Sequence, residues 1–150
     1  MKFEKFLKGC GTHGQILTRD NGDRWLICGG VGMKVPVGVI NLLGSGEVPE
    51  KVEKLVEGLI YADHDDKVML NRAYIPANGK PSDIVRIFEG DLDITIGIYN
   101  ADFGLIEKSD FNKCEVEIED SGDQYIDGKY LVILNNDDEV VGFIQGVKNF

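Results

Sequence analysis

The sequence predicts an α+β fold: a mainly antiparallel β-sheet or barrel-like β domain with one long amphipathic helix over about residues 49–62. Three observations predict it. Apolar and polar residues alternate in several short runs, most clearly in Cys114-Glu115-Val116-Glu117-Ile118-Glu119. Short turn signals such as Asn21-Gly22, Gly90-Asp91 and Asn135-Asn136-Asp137-Asp138 separate several of these runs, as in antiparallel hairpins. Only one longer segment repeats its apolar residues at helical spacing, namely Val52, Leu55, Val56, Leu59 and Ile60.

Met1 to Lys8 places Phe3, Phe6 and Leu7 at i, i+3, i+4, an amphipathic turn or two that needs a surface to dock on. Gly9 to Gly14 breaks it. Gln15 to Arg19 and Arg24 to Cys28 read as a hairpin across Asp20-Asn21-Gly22-Asp23. Gly29 to Gly32 reads as a flexible break, and Lys34 to Ile40 as a further extended run. Pro49 suits the first turn of the helix, Glu47 and Glu50 complement its positive end, and Asp63-His64-Asp65-Asp66 reads as the polar turn that stops it. Further strands are expected at Val68 to Ala77, Ile84 to Glu89 (with a short helix capped by Ser82 as the alternative), Asp93 to Tyr99, Cys114 to Glu119, Lys129 to Leu134 and Glu139 to Val147. On the strand from Cys114, the glutamates should share one face, with Cys114, Val116 and Ile118 on the other. That makes about eight strands, in a single domain spanning 1–150.

Charge narrows the partners. With 16 Lys+Arg against 26 Asp+Glu, the net charge is −10. A phosphate backbone or an anionic membrane requires clustered cations, so neither nucleic acid nor a membrane surface is expected. Three scattered cysteines and the opening Met1-Lys2-Phe3-Glu4 point to a reducing compartment and no secretory signal.

Familiar chemistry is absent from the spacing. There is no P-loop, dinucleotide fingerprint, nucleophile elbow or zinc-finger pattern. Cys10-x-x-His13 is at most a metal half-site, and no second short-spaced pair completes it with Cys28 or His64. No metal or cofactor is expected. The acidic turns at 20–23 and 120–123 lack the alternating ligands of a calcium loop. For a small anionic ligand such as a nucleotide, the available groups are Arg72 and Arg86 as clamps, with Trp25, Tyr74 and Tyr99 as stacking surfaces.

Gly11-Thr12-His13-Gly14-Gln15-Ile16, Asn21-Gly22-Asp23-Arg24-Trp25-Leu26-Ile27-Cys28 and Ile98-Tyr99-Asn100-Ala101-Asp102-Phe103-Gly104 are similar to segments of accessory and structural proteins of tailed bacteriophages. The resemblance implies a setting, in the virion or the host cytoplasm, rather than a chemistry. It leads to the expectation of a non-enzymatic virion component, such as a capsid decoration or stabilising protein, that associates with itself and with another phage structural protein. Phe3, Phe6 and Leu7, together with Val37, Val39 and Leu42 of the apolar run 35–43, are the candidate interface residues. A nucleotide-signal binder that counters host defence is the alternative. A metal-dependent hydrolase built on His13, His64 and carboxylates ranks third.

Overall fold

A computed structural model describes residues 1–39, 48–77, 79–91 and 93–148. Helix α1 (Phe3–Cys10) leads into strands β1 (Gln15–Thr18), β2 (Arg24–Cys28) and β3 (Val31–Lys34), followed by α2 (Glu50–Tyr61). Then come β4 (Lys67–Tyr74), β5 (Val85–Gly90), β6 (Thr95–Tyr99), the short α3 (Asn100–Phe103), β7 (Cys114–Glu119), β8 (Gly128–Leu134) and β9 (Val140–Gln145). Among the described residues, nine strands form one sheet in the order β1-β2-β3-β9-β8-β7-β4-β5-β6. Every pairing is antiparallel.

Turn chemistry sets the hairpins. Between β1 and β2, the Asn21 side chain accepts the Asp23 amide at 3.0 Å and Gly22 takes a φ of +90°. Gly29-Gly30 is a tight turn rather than the expected flexible break. Cys28 pairs directly with Val31, and Gly29 adopts a φ of +61°. Asn135 closes the β8–β9 turn by accepting the amides of Asp137 and Glu139.

The middle of the sheet is buried on both faces. Along β8, Leu131 and Ile133 enter one core, while Tyr130, Val132 and Leu134 enter the other, as the two-residue period of a strand requires. The first core is closed by α1 and by β4, β5 and β6, and contains Phe88, Ile96 and Ile98. The far end of the sheet curls back far enough for the Val147 amide to donate to Gly97 O at 2.7 Å.

The second core lies under α2. Leu55, Val56 and Leu59 are buried there, with Val52 and Ile60 packed alongside, so the apolar stripe meets the sheet. The helix has 12 residues, however, and α1 adds a further eight; the expectation of a single long helix is not met. Phe143 fills the centre of this core, stacked on Trp25 at 6.0 Å and edge-on to Tyr130 at 5.9 Å. Its cross-strand partner is Gly32, and a side chain there would occupy the space of the ring.

The N-terminal docking segment proves to be internal. Phe3 and Phe6 are buried in the first core, and Leu7 packs against it. Backbone and charge fix the segment too: the Lys2 amide donates to Leu105 O at 2.8 Å, and the Met1 ammonium lies 2.7 Å from Asp110 Oδ2. Phe3 and Phe6 therefore cover the chain's own sheet, with Leu7 half-buried beside them. Of the other interface candidates, Val37 is fully exposed, Val39 is packed against the first core, and Leu42 lies outside the described residues. Among the described residues, no helix is long and apolar enough to cross a membrane.

Candidate functional site

The residues with the most unusual surroundings sit where α2 ends and β7 begins. Alternation along β7 turns Cys114 and Val116 into the first core and Glu115 and Glu117 to the α2 side, beside Val132 and Tyr130. The chain leaving α2 then covers them. Ala62 is extended, with φ −66° and ψ 156°, and the Asp66 carbonyl accepts the Val116 amide at 3.0 Å. This prolongs the ladder that begins with Lys67 opposite Glu115, and it carries His64 over the two glutamates.

Glu115 is only 2% exposed. His64 Nδ1 lies 3.2 Å from Glu115 Oε2 and 3.5 Å from Glu117 Oε1. None of these three atoms makes a hydrogen bond of acceptable geometry. On the other side of the ring, His64 Nε2 is 3.4 Å from Ile60 O. Burial pushes both carboxyls above the usual carboxylate range, with His64 opposing the shift at each. Glu117 and Asp138 raise Glu115 further while Lys67 lowers it; Asp66 and Asp63 raise Glu117. A cleft of about 300 Å³, lined in part by Tyr61, His64, Asp138 and Glu139, opens onto the imidazole.

On the strand from Cys114, the division of faces is as the sequence reads it. Glu115 on the glutamate face is buried, and Ile118 on the apolar face is 71% exposed. The first core ends at Val116, because β4 pairs with β7 only through Lys67–Glu115 and Val68–Cys114. His13 is exposed and takes no part in the cluster; its amide donates to Cys10 O at 3.0 Å.

The five ligand candidates do not converge. Trp25, 1% exposed, is a core residue and cannot stack on a ligand from solvent. Register places Arg72, Tyr74 and Tyr99 on one face of the β4-β5-β6 lobe, in rows with Ile87 and Val85. Arg86 points to the other face, over the Phe103 ring at 4.9 Å and donating to Asn100 Oδ1 at 3.0 Å. Arg72 pairs with Glu89 at 3.3 Å, so the two arginines form no clamp. Nor do the acidic turns resemble calcium loops. Asp127 accepts the Ser121 and Gly122 amides and Asp123 accepts the Tyr125 amide, which holds both carboxyls below their ordinary range.

The thiols are quiet. Desolvation pushes Cys114 up to about 12, aided by the nearby charges of Asp110 and Glu115. Desolvation and the Cys28 neighbour raise Cys10 to about 12. Because only the thiolate reacts, Cys10 and Cys114 should resist a thiol reagent at pH 8 until the protein unfolds, while partly exposed Cys28 reacts first. Labelling of the native protein followed by peptide mass spectrometry reads this directly. Rapid modification of Cys114 would mean that its core opens freely.

Comparison with protein-family models, curated proteins and solved structures finds no match for the chain.

Proposed function

We propose that this chain is a non-enzymatic assembly protein, a virion component of the capsid-decorating or capsid-stabilising kind, that works as a homo-oligomer joined through β4. The observation that carries the reading is the outer edge of that strand. Beyond Val68, β4 has no ladder partner on the β7 side among the described residues. Met69 and Tyr74 on it are 62% and 51% exposed, and Ile75 just past its end is 67% exposed. Soluble proteins normally guard such an edge with charge, bulges or a cover, because its free backbone groups invite another strand. Here residues 69–75 contain one charge, Arg72, already paired with Glu89, and one register irregularity against β5, between Leu70 and Arg72.

Antiparallel pairing with β4 of a second copy supports a closed two-fold dimer. An axis at Arg72 sets Met69 of one copy opposite Ile75 of the other. The resemblance to phage proteins supplies the setting, and the net charge of −10 suits an outer surface that must stay soluble.

Light scattering of the purified protein should give the mass of a dimer, and Ile75→Lys should give a monomer with an unchanged circular dichroism spectrum. A wild-type protein that stays monomeric at high micromolar concentration removes the β4 interface. Mass spectrometry of purified phage particles tests the setting separately: absence of the chain removes the virion role but leaves the dimer.

A further inference from the structure

We infer that His64, Glu115 and Glu117 together bind a divalent first-row transition-metal ion. Three potential ligand atoms lie within 4.8 Å of one another, and each lacks a hydrogen-bond partner. One belongs to Glu115, a carboxylate 2% exposed, and an unsatisfied buried carboxylate oxygen is costly unless a cation meets it.

The spacing fits an ion. With metal–ligand distances of ~2.1 Å, adjacent ligands around a tetrahedral or octahedral centre stand roughly 3.0–3.4 Å apart. His64 Nδ1 stands 3.2 and 3.5 Å from the two carboxylate oxygens. The histidine's far side agrees. Ile60 O only accepts, so a hydrogen bond on this side requires the tautomer with its hydrogen on Nε2, the one that turns the Nδ1 lone pair to the glutamates. A neutral imidazole aimed at two carboxylates is repulsive by itself. A cation held in common by all three atoms would meet both carboxylates and the imidazole lone pair at once.

One imidazole and two carboxylates suit Zn²⁺ or Mn²⁺ better than a thiolate-seeking ion. Three protein ligands leave at least one position, which water entering from the adjoining cleft fills. Asp63, Asp66 and Asp138 add negative potential around the site, partly offset by Lys67. The bound ion would pin the end of α2 to β7.

The test uses the full chain, stripped with a chelator and then dialysed against Zn²⁺ or Mn²⁺ separately. Elemental analysis should find one ion per chain, and the loaded protein should melt at a higher temperature than the stripped one. His64→Ala and Glu117→Gln should weaken binding by more than the ~10–100-fold that loss of an outer-shell partner costs. Glu50→Gln, at the exposed i,i+4 pair with Lys54, should leave it unchanged. Co²⁺ provides a readout that needs no variant: a visible absorption band displaced by Zn²⁺ marks the site in the wild-type chain. Failure to retain any ion, with no shift in melting and no Co²⁺ band, overturns the inference. So does retention undiminished in both ligand variants.

Discussion

Phe143→Ala should cost about 3–5 kcal/mol, the range expected for emptying an aromatic from a packed core. The ring is 1% exposed and wedged between Trp25 and Tyr130, and Gly32 across the strand has no side chain to relax into the void. A domain of this size has roughly 5–15 kcal/mol in total, so the variant should sit near the edge of folding. Its melting temperature should fall by about 10 °C or more, read by circular dichroism or calorimetry. A drop of only a degree or two would mean that the second core is loosely packed and that the aromatic trio is not its centre.

Gly90→Ala should destabilise for the opposite reason. Gly90 pairs with Val68 at the end of β5, and a methyl group there would meet the Lys67 carbonyl oxygen well inside contact distance. Backbone cannot swing aside as a side-chain end can, so β4 and β5 must separate locally at a cost of about 1–3 kcal/mol. Gly58→Ala makes the natural comparison. In α2, a methyl group meets nothing closer than Glu119 Oε2 at 3.8 Å, and helix propensity favours alanine by up to ~1 kcal/mol. Chemical denaturation should therefore show the two glycine variants moving in opposite directions. If Gly90→Ala unfolds at the wild-type denaturant concentration, the β4–β5 register at Val68 is wrong.

Local chemistry explains why much of the architecture is readable from the chain. The i, i+3, i+4 spacing from Val52 to Ile60 finds a sheet to pack on. Strand alternation assigns Cys114 and Val116 to one face, and Asn21-Gly22 makes its hairpin. These are properties of segments a few residues long. The candidate site is different, because His64 and Glu117 are 53 positions apart and meet only through the pairing of Lys67 with Glu115. Alternation places Glu115 and Glu117 on a common face, but it cannot say that the end of α2 will roof that face. The docking segment fails in the same way. Phe3, Phe6 and Leu7 do need a cover, and spacing alone does not distinguish a partner's surface from the chain's own. Trp25 illustrates the converse: its ring suits stacking on a ligand, and the fold uses it against Phe143.

The joint between β7 and β4 is only two residue pairs wide, whereas β8 meets β7 through six pairs. Mechanically this makes β4, β5 and β6 a flap on a narrow hinge, latched at its free side by the Val147–Gly97 hydrogen bond. Opening it would expose Phe88, Ile96 and Ile98 while leaving the second core and α2 in place. Amide protons of β5 and β6 should then exchange by a sub-global route, ahead of those in β8 and β9. A second copy paired along β4, or an ion held at the hinge by His64, Glu115 and Glu117, would slow that exchange without touching a single residue of the flap's interior.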